Sequence, residues 1–323
     1  MGLNSTKQSI LIRVEGNEVI GYGHFMRCLS LARYVADEFD CTFAMSTLTS
    51  FVERLLQEYG FDLVKLGYQY QYSTDDPRSI EEFQFDLEWI AGNFQIVVLD
   101  GYRFKAAYCD RLAQVNSNIV KFVDDLSHED VNATKGVITQ IPLSEKEKTQ
   151  WFKNKRVHSG SDGFLIRPEF FSDCNDDSVK RFDWFLYIAQ LESFKYCAES
   201  PELKNKKVLA LVSNRLVDQC VDVGWTPIVE PDVIELAREM RACKSALLPA
   251  STIALEYFVC TGRKPLVFCF VENQHQGLPY FVKRGVWAST GQTPQVLDGQ
   301  LSAVNPKATL TSFLSNLYSL HGT

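Results

Sequence analysis

The sequence predicts an α/β protein: two doubly wound, Rossmann-like domains facing a cleft. Three observations carry that prediction. Short β-rich runs alternate with longer amphipathic stretches, the pattern of a parallel sheet with crossover helices. Most of the short runs are nearly continuous in Val, Ile, Leu and Phe, as strands covered on both faces require. The alternation breaks once, in the polar and aperiodic stretch 172–180, and then resumes. At 323 residues the chain is long enough for about two domains, each with its own core.

In chain order, the first series places strands at residues 9–14, 41–46, 62–66, 94–100, 118–124 and 136–140. A helix lies between the first two. Phe25, Cys28, Leu29, Ala32, Val35, Ala36 and Phe39 recur at helical spacing, while Arg27, Ser30, Arg33, Asp37 and Glu38 fill the other face. The second series places strands at 184–189, 207–212, 226–230, 245–248 and 265–270, with helices at 232–241 and 252–260. An amino-terminal domain over 1–172 and a carboxy-terminal domain over 181–323 are therefore expected, the last helix being a candidate to pack back on the first domain. In such sheets ligands bind outside the carboxyl ends of the strands, so a shared cleft is expected there. No repeat at a fixed period is present, which argues against a solenoid.

Composition excludes several functions. With 46% hydrophobic and 23% charged residues, 18 Gly and 11 Pro, the chain is of the globular type, neither disordered nor collagen-like. A formal charge of -7 argues against a nucleic-acid polymer as the main partner, because counterion release needs a concentrated basic face. A small anion at one local site fits. The longest apolar runs, such as 266–271, fall far short of the roughly 20 residues that cross a bilayer. No charged-then-apolar leader opens the chain. A cytoplasmic monomer or weak homodimer with no membrane partner is expected. The nine cysteines stand singly without a CxxC pair, the pattern of reduced, buried side chains rather than of a metal or disulfide framework.

The segment from Arg13 to Arg27, RVEGNEVIGYGHFMR, joins the first strand to the first helix. Gly21 and Gly23 permit a tight turn and close approach of a ligand, and His24 falls at the helix start. The positive end of the helix dipole disfavours an imidazolium there, which suits a neutral general base. The same residues also fit a strand-to-helix turn with a capping histidine. A dinucleotide site fits less well, since the third glycine of GxGxxG is Met26 and the second strand ends at Ser46 without an acid for a ribose. Asp100, followed by Gly101 and Tyr102, and Asp124, followed by Asp125, end two further strands and should project toward His24. Asp100 or Asp124 would orient the imidazole or bind a sugar hydroxyl, whereas Asp125 reads as a helix cap. Arg13, Gly21, Gly23, Arg27, Asp100, Tyr102 and Asp124 are thus candidate substrate contacts.

In the second half, Pro249, Ala250, Ser251 and Thr252 stand between a strand and a helix, where free N–H groups and hydroxyls suit a diphosphate. Glu256, one turn on, is placed to bridge two ribose hydroxyls. A capping box explains the same spacing. The polar stretch Glu272, Asn273, Gln274, His275 and Gln276 follows a buried strand and is expected to meet a polar ligand. His275 alone reads as a surface residue. Arg167 reads by default as paired with Glu169 or another surface acid, and is also a candidate to hold a carboxylate or phosphate.

Taken in order, IGYGHFMRCLSLA, VVLDGY, FVDDLSHED, GFLIRPEF and SALLPASTIALEYFVCTGRKPLVFCFVENQ resemble the nucleotide-sugar hydrolases of pseudaminic acid biosynthesis. Those enzymes are relatives of the spore-coat polysaccharide proteins. The resemblance runs from about Ile10 to about Gly291, and the GxGHxxRC and ENQ segments are its most specific parts. It implies a two-domain GT-B fold and removal of UDP from a UDP-activated diacetamido-trideoxy hexose, with water attacking the anomeric carbon and inverting it. It also implies His24 as the base, Ser251, Thr252 and Glu256 as diphosphate and ribose contacts with Glu272 beside them, and Asn273 and Gln274 as sugar or phosphate contacts. No cofactor and no metal are implied. The chain departs from the pattern in having Arg13, Val14 and Glu15 in place of Arg-x-Asp, and Pro249 and Ala250 in place of a glycine-rich turn. A glycine-free stretch from Tyr187 to Glu192 stands where relatives have a phosphate loop. A glycosyltransferase of the same fold, or a nucleotide-sugar binder without activity, would use the same donor site.

Overall fold

The apolar runs of the first half pair into a seven-stranded, all-parallel sheet. Its elements are β1 (Gln8–Val14), α1 (Gly23–Val35), β2 (Phe39–Met45), α2 (Ser50–Tyr59), β3 (Asp62–Lys65), β4 (Ile96–Asp100), α3 (Ala106–Ala113), β5 (Ile119–Phe122), β6 (Gly136–Ile138), α4 (Glu145–Trp151) and β7 (Arg156–His158). The strand order is β3-β2-β1-β4-β5-β6-β7. The computed structural model describes residues 7–17, 20–67, 86–87, 89–124, 129–171, 180–188, 190–269, 272–289 and 304–318. Leu11, Val97, Leu99 and Ile119 of the sheet are fully buried against Tyr108, Cys109 and Leu112 of α3. Each such apolar side chain contributes about 1.5–3 kcal/mol.

The second half forms a six-stranded parallel sheet, β10-β9-β8-β11-β12-β13. Its elements are β8 (Phe182–Ile188), α5 (Leu191–Glu199), β9 (Val208–Val212), α6 (Val217–Asp222), β10 (Thr226–Ile228), α7 (Val233–Arg241), β11 (Cys243–Pro249), α8 (Thr252–Thr261), β12 (Leu266–Phe268), α9 (Glu272–Lys283) and β13 (Ala288–Ser289). Leu186, Val208, Ala210 and Leu247 pack with Cys197, Cys220 and Trp225.

The chain divides into two units, residues up to Leu165 together with those from Val304, and residues Ile166 to Ala303. The break comes before the expected linker, most of which lies outside the described residues. Ile166 to Phe171 join the second unit, where Arg167 is paired with Glu256. The last helix, α10 (Lys307–Tyr318), belongs to the first unit and packs on α1 and β7. Gly163 makes that approach feasible: its φ is +130°, and a Cβ there would stand 2.8 Å from Pro306.

The structure departs from or adds to the sequence reading at three places. Phe39 does not close the first helix but opens β2, because α1 ends at Val35 and the chain turns through Ala36. β7 and β13 were not expected, since RVH carries Arg156 and His158 in place of an apolar run and AS is only two residues long. Residues 272–276, for which only a polar ligand was expected, form the first turn of α9.

Candidate functional site

In each sheet the strand order reverses at one point, which is where open α/β sheets bind their ligands, beyond the carboxyl ends of the strands. In the first unit that point lies between β1 and β4, which pair with Val14 opposite Asp100. The chain leaving β1 makes a bridge between Asn17 and Gly21, whose φ of +80° suits glycine, and enters α1 at Gly23. A side chain added at Gly23 would meet nothing within 4 Å, so the backbone there is open to approach.

His24, in the first turn of α1, reaches Asp100 with Nδ1 2.7 Å from Oδ1. Arg27, one turn later on the same face, sends Nε to Asp100 Oδ2 and Nη2 to Oδ1, both at 2.5 Å. Its Nη1 and Nη2 also donate to Asp124, the latter at 3.0 Å. Arg27 Nη2 stands 3.0 Å from His24 Nδ1 as well. Both cannot donate into one another. The hydrogens of Nη2 are already directed at Asp100 and Asp124, and an ionised Asp100 only accepts, so Nδ1 carries the proton and donates it to Asp100. Nε2 is then the acceptor. Tyr102 meets the imidazole edge to face, with ring centroids 4.7 Å apart.

Burial alone would push the Asp100 carboxyl up, but Arg27 and then His24 outweigh it and bring it down to about 2. Burial opposes the charge of Arg27, and Asp100 and Asp124 more than restore it. Cys28, which donates to Asp100 Oδ2 at 3.5 Å, is raised by burial and by that carboxylate, so it stays a thiol.

Two of the sequence-derived substrate contacts, Arg13 and Arg27, are engaged by carboxylates of the chain itself. Arg13 is fully buried, and its guanidinium meets Glu15 at 2.6 Å, Asp86 at 2.9 Å and the carbonyls of Val14 and Ala44. Glu15 in turn accepts from the N–H groups of Ser46 and Thr47, and Asp86 from Arg103 and the Tyr108 hydroxyl. This network ties the ends of β1 and β2 together. Arg27 is likewise occupied by carboxylates rather than turned to a ligand. Asp86 and Tyr108 were not legible as partners, because nothing local in the sequence links them to Arg13.

In the second unit the order reverses between β8 and β11, paired with Leu186 opposite Leu247. The helices that follow them, α5 and α8, start at Gln190 and Ser251 with no side-chain cap. The starts of α1, α3 and α6 likewise have no side-chain cap, whereas Thr49, Ser144 and Asp232 cap α2, α4 and α7. The Ser251 hydroxyl points back to the Pro249 carbonyl at 3.4 Å, so the capping box is not formed. Glu256 instead takes a bidentate pair from Arg167, both contacts at 2.8 Å. Two residues expected to bind ligand separately therefore bind each other. Burial, then Glu256, raises the Tyr187 hydroxyl on β8.

Of the ENQ segment, Gln274 is half-buried and His275 exposed on α9; the side chains of Glu272 and Asn273 lie outside the described residues, as do Asp125 and His128. Among the described residues no cluster of three or more His, Cys, Asp or Glu could hold a metal. No helix among them is long and apolar enough to cross a membrane.

The chain is 22% identical over 283 residues to a UDP-2,4-diacetamido-2,4,6-trideoxy-beta-L-altropyranose hydrolase of Campylobacter jejuni, covering 85% of this chain and 97% of that protein. No known family model matches the sequence. Solved structures of the same fold include UGT89C1 of Arabidopsis thaliana, with TM-score 0.60, 13% identity and 98% of both chains covered. They also include MurG of Acinetobacter baumannii, with TM-score 0.55, 13% identity and 97% and 95% covered. The UDP-GlcNAc 2-epimerase of Methanocaldococcus jannaschii has TM-score 0.54, 10% identity and 98% and 100% covered. The fold is that of GT-B proteins, two parallel α/β units with seven and six strands.

Proposed function

We propose that the chain is a nucleotide-sugar hydrolase that releases UDP from a UDP-activated diacetamido-trideoxy hexose. The observation that carries this reading is the imidazole of His24, fixed through Nδ1 on Asp100 so that Nε2 is left as a base. A water proton passes to Nε2 while the water oxygen forms its bond to the anomeric carbon. The bond from that carbon to the phosphate oxygen breaks, its electron pair leaves with UDP, and the sugar is freed with inverted configuration. Asp100 stays ionised and supports the imidazolium, as the carboxylate of a catalytic triad does.

The first unit is assigned the base and the second the nucleotide. The uncapped start of α8, with Ser251 and Thr252, suits the diphosphate charge. Glu256, with two contacts taken by Arg167, keeps lone pairs for ribose hydroxyls. Asp124, whose side chain is 27% exposed, Tyr102 and the α9 residues Glu272, Asn273 and Gln274 are assigned to sugar and phosphate. Likeness to the Campylobacter jejuni hydrolase supports the substrate class, and the motif resemblance in the sequence supports a place in pseudaminic-type or surface-polysaccharide synthesis. Glu192 in the first turn of α5 would repel a diphosphate held there, which favours α8 as the phosphate site.

The experiment is incubation with UDP-, CMP- and GDP-sugars, including UDP-2,4-diacetamido-2,4,6-trideoxy-β-L-altropyranose, in ¹⁸O-water with no acceptor. Release of UDP with the label in the sugar is expected. Label in the phosphate would refute attack at the anomeric carbon, and no release from any sugar would refute the hydrolase. Several fold neighbours are glycosyltransferases, which favours a transferase as the second reading. Release only when an acceptor is added would establish it.

A further inference from the structure

Behind the His24 ring, one cation is held between two carboxylates. Arg27 grips both oxygens of Asp100 and both of Asp124, and its Nη2 stands 3.0 Å from the ring nitrogen. Asp100, Arg27 and His24 are buried, while Asp124 keeps an exposed edge. Among the described residues, the groups facing the ring come from three places. Arg27 and Cys28 lie on its own helix, Asp100 and Tyr102 at the end of β4, and Asp124 beyond β5. Cys28 is a neutral thiol and Tyr102 presents a ring edge, so among the described residues the charge behind the imidazole is two carboxylates against one guanidinium.

The geometry points to Arg27 and Asp124 as positioning residues that act through Asp100: they set the net charge behind His24, and so the pH range in which Nε2 is bare. The fork of Arg27 also fixes the Asp100 oxygen on which the Nδ1 proton rests. A substrate contact is not needed to explain Arg27, because its nitrogens are already directed at the two acids. Nearby charges act on a titrating ring by simple addition of sign. Removing the guanidinium leaves two carboxylates, which stabilise the imidazolium, and the ring then keeps its proton to higher pH. Removing the Asp124 charge leaves one carboxylate against one guanidinium, and the ring loses its proton at lower pH. The inference rests on His24 as the proposed base, yet the charge balance is readable without substrate.

The test uses the full chain labelled with ¹⁵N-histidine and titrated without ligand, with the His24 signals assigned by their loss in His24→Gln. Arg27→Gln should raise the titration midpoint of the ring by about one pH unit, tenfold in proton affinity. Asp124→Asn should lower it by about half a unit. Arg27→Lys, which keeps the charge and loses the fork, should leave the midpoint near that of the parent chain while UDP release slows several-fold. Shifts of the same sign in Arg27→Gln and Asp124→Asn, or no shift in variants that still melt cooperatively, would overturn the proposal. If Arg27→Gln does not fold, the nearly isosteric Asp124→Asn decides it alone. The hydrolase reading is judged separately, by UDP release from the parent chain, so either can fail without the other.

Discussion

Arg13 and Arg27 invite comparison. Both are buried beside the carboxyl ends of the first sheet, and each binds two carboxylates, Glu15 and Asp86 for one, Asp100 and Asp124 for the other. They differ in what ends the network. Around Arg13 the contacts close on Ser46, Thr47, Tyr108, Arg103 and backbone carbonyls. Around Arg27 they end on an imidazole with one nitrogen still to be used. The same charge arithmetic thus braces two strands in one place and equips a base in the other. The terminal group decides which.

The largest expected effect separates the two directly. His24→Ala should lower UDP release by about 10² to 10⁴ fold while UDP-sugar binding is retained, measured by turnover beside calorimetric titration. Unchanged turnover would return His24 to the structural class of Arg13. Next comes Arg13→Met, which leaves two buried carboxylates without their cation. It should cost about 3–5 kcal/mol in urea unfolding, with release per folded molecule unchanged. A turnover defect without a stability loss would move Arg13 into the site.

Asp100→Asn should cost about 10² fold in turnover, because an amide no longer enforces the Nδ1–H tautomer or supports the imidazolium. A smaller effect concerns acid. Asp100 is depressed to about 2, so its contribution of about 2 kcal/mol is complete above the unfolded carboxylate value near 4 and is lost as the pH falls toward 2. Asp86 is lowered as well, through Arg13 and Arg103 against the opposing effect of burial. Melting followed from pH 6 to pH 2 should therefore fall most steeply below about pH 4, and Asp100→Asn should flatten part of that slope. Least affected is Glu256→Gln, expected to weaken UDP binding by about 1 kcal/mol with turnover at saturation nearly kept.

Much of this was legible before the fold was known. Apolar runs located eleven of the thirteen strands among the described residues; RVH escaped because Arg156 and His158 break its apolar character, and AS because it is only two residues long. His24 and Asp100 were legible because strand ends in doubly wound sheets converge at the switch point, so a helix-start histidine and a strand-end acid are brought together by topology. The partner of each arginine was not. Arg13 looked like a ligand contact because a lone cation near a strand end carries no mark of the acid that will neutralise it, and for Arg167 an acid partner was expected but Glu256 was not recognisable as that acid. Asp86 is distant from Arg13 in sequence, and Glu256 from Arg167. Phe39 fitted the helical period and still opened β2, since its pairing with Gln8 outweighs a local preference.

The most direct test is UDP release from the diacetamido-trideoxy UDP-sugar by the parent chain and His24→Ala side by side, with no acceptor present. The account predicts steady release by the first and a loss of at least about 10² fold in the second at undiminished binding. Equal rates in the two, or no release by either, would contradict it.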